Sequence, residues 1–328
     1  MTLPPTMQAA YIAQVGGPIE IGALPLPPIG PTDVRVRVAA SGVNPVDLFV
    51  RSGAYRTHTP LPFVLGRDAV GTVAAMGAGV SGLAVGDAVW CNSLGHAGRQ
   101  GALAEYAVVA AERLYRLPAG VDTMQAAAVL HTGATAQLGL ARHAQLQAGE
   151  TLLIEGAGGG VGSAVVQMAH AMGARVIATA SARDQAWCRQ CGADVVIDYQ
   201  HEDRGAQVQR AAPEGIDVAW DTSGRNELAA VLPLMRLGGR IVVMSGLRAG
   251  PASLPVGAMY TRDVSLHGFA ISNATVSDLA GAAAAINRLL AAGRLKARIG
   301  ATFGLQDTAA AYEALAAGRV RGRIAISI

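Results

Sequence analysis

The chain has 328 residues, of which 51 % are apolar and 15 % charged, with a net charge of +3. That length is too great for one ordinary core, so two domains are expected, and the apolar content excludes a disordered chain. So small a net charge gives no ground for nucleic-acid binding, no apolar run reaches the ~20 residues that span a bilayer, and three cysteines fit a reducing cytoplasm without a disulfide framework. Met1-Thr2-Leu3-Pro4-Pro5 has neither a basic flank nor an apolar core, so no signal peptide is expected and the expected location is cytoplasmic.

From about Met7 to Arg116 the chain carries short alternating or β-branched segments. Val34 to Val38, Val70 to Val73 and Leu103 to Val109 read as strands, broken by Pro- and Gly-rich stretches at Pro25 to Pro31 and Gly77 to Gly86. After Leu117-Pro118 the pattern changes, with helices expected over Met124 to Val129 and Ala134 to Arg142. Strands are then expected at Thr151 to Glu155, Arg175 to Thr179, Val195 to Ile197, Ile216 to Trp220 and Ile241 to Met244, with helical segments between them. Such alternation predicts a doubly wound parallel sheet. Asp263 to Ala270 is one more strand candidate, Ser277 to Ala292 an amphipathic helix, Asp307 to Ala316 a short helix, and Ile324 to Ile326 a closing strand.

The most informative stretch is Thr151-Leu152-Leu153-Ile154-Glu155-Gly156-Ala157-Gly158-Gly159-Gly160-Val161-Gly162-Ser163. A buried strand runs into a glycine-rich turn and then into an apolar helix, the arrangement that sets a dinucleotide's pyrophosphate against backbone N–H groups and a helix N-terminus. In register with G-x-G-x-x-G the key positions are Ala157, Gly159 and Gly162, so an alanine replaces the first glycine. Glycine is common in this chain, and a structural loop without a ligand is the competing reading. The next strand ends in Ala178-Thr179-Ala180-Ser181-Ala182-Arg183, without the carboxylate that binds the ribose hydroxyls of NAD. Ser181 and Arg183 suit a 2′-phosphate and favour NADP (NADPH). Asp184 counts against that choice, and Arg183 is also readable as a solvated first-turn residue.

These residues carry a resemblance. The chain resembles the zinc-free quinone oxidoreductase (zeta-crystallin-like) branch of the medium-chain dehydrogenase/reductase superfamily over essentially its whole length. The matching stretches are Ala40 to Asp47, Arg51 to Tyr55, Leu61 to Asp68, Val85 to Val89, the glycine turn, Gly192 to Tyr199, Asp221 to Gly224 and Leu237 to Arg240. The resemblance implies an α/β chain with a GroES-like β-barrel domain, residues 1–125 and 266–328, and a Rossmann doubly wound nucleotide-binding domain, 126–265, with substrate in the cleft. It also implies a homodimer paired through the strand near 263–270, which would cover an exposed sheet edge.

Zinc alcohol dehydrogenases, which look like distant relatives, place a cysteine where this chain has Asn44, a His-Glu pair at Arg67-Asp68 and a third ligand near Ala128. None of these offers a thiolate or imidazole, so no metal is expected. Cys188-Arg189-Gln190-Cys191 falls late in a helix and reads as a small apolar filler, and His131 is the one histidine that the resemblance sets near the cofactor.

Without a metal an isolated ketone is a poor acceptor, whereas hydride addition to a quinone or enone gives a delocalised anion that a few donors can stabilise. The expected activity is therefore NADPH-dependent reduction of quinones or other α,β-unsaturated carbonyl compounds. Asn44 is expected to donate to the substrate oxygen or hold the nicotinamide ribose, and Tyr55 to be a donor or proton source. Asp47 and Arg51 are expected to fix the loop. The plainer readings are a turn residue for Asn44 and a packing aromatic for Tyr55.

For the cofactor the resemblance implies Thr135 near the nicotinamide and Gly158, Gly159, Gly160 and Val161 along the pyrophosphate. Ser181, Arg183 and Tyr199 would surround the 2′-phosphate, with Arg319 adding to it, and Ser223 and Ser245 lie just past strands, where open sheets bind ligands. One alternative is a reductase of enoyl thioesters or small enones, with Arg51, Arg56 and Arg67 as a basic patch, equally readable as solvated charges. Another is a nucleotide-binding structural or RNA-binding protein using Arg319, Arg321 and Arg323, a run that otherwise reads as a solvated edge.

Overall fold

The computed structural model describes residues 4–247 and 249–328; Met1 to Leu3 of the leader reading lie outside them. The chain forms two compact units, one of residues up to His131 together with Thr275–Ile328, the other Thr132–Ala274. Among the described residues no helix is long and apolar enough to cross a membrane.

The first unit is built on antiparallel β-structure. Asp33–Gly42 is its central strand, flanked by Ala69–Met76 and, along part of its length, Tyr106–Ala110. Valines 34, 36 and 38 alternate into the core, as a half-buried strand requires. Ala69–Met76 continues into Ala88–Cys91, while Thr6–Ile12 lies between Glu20–Pro25 and Phe63–Val64 in a separate small sheet. The chain's last strand, Arg323–Ser327, returns to this unit and pairs antiparallel with the end of the central strand, Ala325 opposite Gly42 and Ser327 opposite Ala40. Leu103 and Ala104, read as the start of a strand, precede it: Ala104 makes only an isolated bridge to Ala9.

The second unit holds a fully parallel sheet in the order Val195–Asp198, Arg175–Ala180, Thr151–Glu155, Ile216–Asp221, Met235–Val243, Ser265–Gly268. Residues 152–155 and 176–180 are buried, which explains why these strands read as apolar runs without alternation. Ser265–Gly268 and Val195–Asp198 are its two edge strands. The two helices expected between residues 124 and 142 are one, Thr123–Gln137, running on into a π-helical turn, Leu138–His143. Thr132-Gly133 reads as a break, yet the helix passes through it, because the burial of residues 126–136 outweighs one glycine's propensity cost.

The π-helical turn is tied to the sheet by close approach: a Cβ on Gly139 would lie 1.9 Å from the ring of Trp220, which is fully buried. Gly139→Ala is therefore expected to lower the unfolding free energy by about 1–3 kcal/mol through overpacking, with a change in the near-ultraviolet signal of Trp220. Wild-type stability in urea would show that this contact is slack.

Candidate functional site

Two sets of residues are brought together, one within each unit. In the second unit the strand Thr151–Glu155 turns at Gly156 into the helix Gly160–Ala171, with Gly159 as its N-cap. The first N–H groups of that helix, at Gly160, Val161 and Gly162, have no intrahelical acceptor, so the turn offers donors and a positive end to an anion. Gly162 is required by contact: a Cβ there would sit 2.3 Å from the Gly156 carbonyl oxygen and 2.8 Å from Ala157 Cα. The helix thus packs directly on the turn, and a pyrophosphate fits the cradle. Ala157 itself is buried, so the alanine at the first glycine position is part of the packing. Thr135 is buried in the helix Thr123–Gln137.

Around the tip of the second strand, Ser181 donates its hydroxyl to Asp184 at 2.8 Å, and Arg183 is exposed in the short turn Ala182–Asp184. Asp184 also abuts the glycine turn, since a Cβ on Gly158 would fall 2.7 Å from its Cβ. Tyr199 carries the Arg225 guanidinium over its ring at 4.8 Å, a cation that the sequence reading did not pick out and that no local pattern announces. Ser223 and Ser245 are joined through one framework. Asp221 accepts from the Ser223 and Asn226 amides at 2.5 Å each, Asn226 donates to the Ser245 carbonyl at 3.1 Å, and the Ser245 hydroxyl reaches the Asp221 carbonyl at 3.3 Å. Below them Glu155 is buried; desolvation and the Asp221 charge raise its carboxyl, opposed by Arg204, which also pairs with Glu227 at 2.5 Å. Arg319 lies in the first unit, exposed after the helix Thr308–Ala316.

In the first unit a polar cluster is buried. Asn44 caps the helix Pro45–Arg51, and its side chain donates to Asp68 Oδ2 at 2.8 Å and to the Gly42 carbonyl at 3.3 Å while accepting from Arg323 Nη2 at 2.7 Å. Asp47 Oδ2 accepts from the Asn44 amide at 2.9 Å and the Tyr312 hydroxyl at 2.8 Å, and its Oδ1 lies 4.0 Å from Arg67 Nε. Asp47 therefore fixes the loop, as does Arg51, whose Nε donates to the Gly17 carbonyl at 2.8 Å. Tyr55 is half-buried and stands edge-on to His96, ring centres 5.8 Å apart.

The readings of Arg67 and Arg323 as solvated charges are overturned. Arg67 is 2 % and Arg323 8 % exposed, because each finds carboxylates inside the unit; burial pulls both guanidinium groups down, and Asp47 and Asp68 among others pull them back. Of the proposed basic patch, only Arg56 is exposed. Burial also pushes His131 down to about 3 and His96 to about 4, with the Arg67 charge adding to each shift, so both are neutral at physiological pH. Cys188 and Cys191 are buried at the end of the helix Gln185–Gln190, in keeping with a packing role.

Comparison with known proteins adds the following. A family model described as "Alcohol dehydrogenase GroES-like domain" matches residues 30–119, and one described as "Zinc-binding dehydrogenase" matches 160–288. The chain is 33 % identical to a quinone oxidoreductase of Sus scrofa over 94 % of its length and 93 % of the relative's. Among solved structures it is similar to a quinone oxidoreductase of Pseudomonas syringae pv. Tomato, with 31 % identity, a TM-score of 0.86 and coverage of 98 % of this chain and 100 % of that one. It is also similar to a mycobacterial protein complexed with NADPH, at 27 % identity and a TM-score of 0.84, covering 98 % and 100 %.

The second family description names zinc, and the donors here do not fit that ion. Asn44, Arg67, Asp68 and Ala128 offer one carboxylate between them, a guanidinium is bound to Asn44 and to the Ala128 carbonyl, and no group of three His, Cys, Asp or Glu is gathered among the described residues.

Asp68 gives a test of the cluster's electrostatics. Burial pushes its carboxyl from 3.8 up to about 7, against the Asn44 hydrogen bond and the Arg323 charge. A carboxyl raised in the folded state holds its proton while the unfolded chain loses one, so stability falls as pH rises from about 4 to 7 and is level above that. Asp68→Asn lacks this liability. Its stability relative to wild type is expected to climb across that window, towards a ceiling of about 4 kcal/mol. A difference in urea midpoints that stays constant from pH 4 to 8 would refute the shift.

Proposed function

The chain belongs to the quinone oxidoreductase branch of the medium-chain dehydrogenase/reductase superfamily, and from that premise we propose that it reduces quinones or other α,β-unsaturated carbonyl compounds with NADPH and without zinc. The observation that carries the reading is the charge pattern of the first unit: two buried guanidinium groups, Arg67 and Arg323, among carboxylates and an amide, in place of thiolate and imidazole donors. Such a cluster can favour a delocalised enolate or phenolate, while an isolated ketone needs a stronger electrophile.

When bound, the dinucleotide supplies the hydride. The Gly156–Gly162 turn holds its pyrophosphate by backbone N–H groups, and Gly162 keeps the helix close enough to contribute its positive end. Arg183 and Arg225, the latter over the Tyr199 ring, serve a 2′-phosphate, supported by the absence of a carboxylate at the tip of Arg175–Ala180; Asp184 is engaged by Ser181. In the first unit Tyr55 donates to the acceptor oxygen, and the Arg67 charge, which interacts with Tyr55, favours the anion formed. The edge strand Ser265–Gly268 is proposed to pair with its copy in a homodimer, and the location to be cytoplasmic.

An acceptor panel with NADPH and NADH side by side tests the activity: turnover of 1,4-benzoquinones is expected to exceed that of crotonyl-CoA, and failure on every quinone would remove the proposal. For the cofactor, Arg183→Ala is expected to raise KM for NADPH by about tenfold or more, the loss of one charge-assisted hydrogen bond, and to leave KM for NADH nearly unchanged. Equal effects on both would refute the phosphate contact.

A further inference from the structure

Asn44 is held at both ends. Its two amide hydrogens go to Asp68 Oδ2 at 2.8 Å and to the Gly42 carbonyl at 3.3 Å, and its carbonyl oxygen accepts from Arg323 Nη2 at 2.7 Å. Guanidinium is a donor only, so turning the amide over would set N–H against N–H at Arg323. Asp68 Oδ2 accepts in the present orientation, ionised or with the carboxyl proton on Oδ1, so the two neighbours together favour one orientation. All three side chains are at least nine-tenths buried.

Arg323 is placed for this by the sheet. The register of the last strand, Ala325 opposite Gly42 and Ile326 opposite Ser41, continues to set Arg323 opposite Asn44, and the Val43 amide bonds the Ile324 carbonyl at 3.0 Å. The same guanidinium donates through Nε to the Ala128 carbonyl at 2.9 Å. One cation thus joins the central strand's end, the helix Thr123–Gln137 and the C-terminal strand.

We propose that Arg323 and Asp68 are positioning residues that clamp the Asn44 amide in a single orientation, with its N–H groups spent inside the protein and only its carbonyl oxygen, which holds Arg323 and faces the Asp47 N–H of the capping box, left to meet a hydroxyl of the bound reactants. This assigns Asn44 as an acceptor, which agrees with the expectation that it holds the ribose and replaces the expectation that it donates to the substrate oxygen. It rests on the reductase reading for its catalytic consequence and on the hydrogen bonds alone for the clamp. Asp68 Oδ1, buried and without a hydrogen-bond partner among the described residues, takes no part in the clamp and leaves Oδ2 as the contact.

The clamp is tested on the full chain labelled with 15N-asparagine. The chain has five asparagines, and Asn44→Ser identifies which side-chain amide pair belongs to residue 44. In wild type that pair is expected to be shifted from solvated asparagine and slow to exchange. In Arg323→Met and in Asp68→Asn it is expected to move, and in Arg323→Lys to move part of the way, since ammonium keeps the charge without the fork. An Asn44 pair unchanged in Arg323→Met and Asp68→Asn overturns the clamp; if Arg323→Met does not fold, Asp68→Asn and Arg323→Lys decide.

The consequence is read from NADPH–quinone turnover. Arg323→Met is expected to lower kcat on the order of 100-fold, the scale of a misplaced reacting group, with KM for quinone little changed and methylguanidine restoring most of the activity of Arg323→Ala. The double variant Arg323→Met with Asn44→Ser is expected to be no slower than Asn44→Ser alone. Multiplying losses, or no rescue, overturn the positioning role. A wild-type chain that turns over no quinone overturns the reductase reading instead and leaves the amide resonances to decide the clamp.

Discussion

A guanidinium taken out of water is the constraint on which the first unit depends. Arg323 is 8 % exposed, and removing a charge from solvent costs several kcal/mol unless partners replace the water. Here the partners come from three remote segments: the Ala128 carbonyl, the Asn44 amide and the charge of Asp68. Arg67 and Asp47 repeat the pattern beside it, with Tyr312 completing the Asp47 shell. Buried charges of this kind are poor sources of net stability, but they are unforgiving about geometry, since each donor and acceptor has few permitted partners. That is the property a site needs.

The second unit meets its demands by another route. Its sheet needs little polar specification, because residues such as Leu152, Leu153, Val176 and Ile177 are buried and parallel pairing aligns the strand ends. What must be specified is the ends themselves. Gly162 permits the helix to touch the turn, and Asp221 closes the loop through Ser223 and Asn226 with both carboxylate oxygens. Glu155 and Asp221 put acid close to a turn meant for an anion, and Arg204 offsets it from the far side of Glu155. For the proposed cofactor this leaves recognition at the turn to backbone N–H groups, with Arg183 and Arg225 as the proposed cations further out.

This division explains what was legible in the sequence. The parallel strands and the glycine turn could be read because their signal is local: a short apolar run, then glycines, then an apolar helix. The sequence predicts two helices where Thr123–Gln137 is one, and Gly133, in the gap between them, costs little once its neighbours are buried. Asn44, Asp47 and Tyr55 were singled out through the family resemblance, whereas Arg67 and Arg323 were read as solvated. An arginine in a sequence says nothing about a carboxylate 255 residues away or an amide 279 residues away, and only the return of the last strand brings Arg323 to Asp68 and Asn44. Arg225 escaped for the same reason, its partner being the ring of Tyr199.

The same arithmetic of burial limits how a proton reaches the product. His131 is buried and His96 partly so, each near two arginine charges, and their protonation is pushed down to about 3 and about 4, so both are neutral at neutral pH. Neither is an acid under working conditions. Asn44 has spent its N–H groups, and Asp47 is engaged by the Asn44 backbone amide and the Tyr312 hydroxyl, both on Oδ2, with Arg67 at 4.0 Å from Oδ1. On the proposed reaction the groups left to supply a proton would be the Tyr55 hydroxyl and Asp68, whose carboxyl burial pushes up to about 7 and whose Oδ1 has no hydrogen-bond partner among the described residues. A phenol and a half-ionised acid are weak electrophiles compared with a metal ion, and they suffice only where conjugation has already spread the negative charge. In the proposed reductase the buried arginines would thus favour a conjugated acceptor twice, by supplying charge to a delocalised anion and by keeping neutral the histidines that a harder substrate would need.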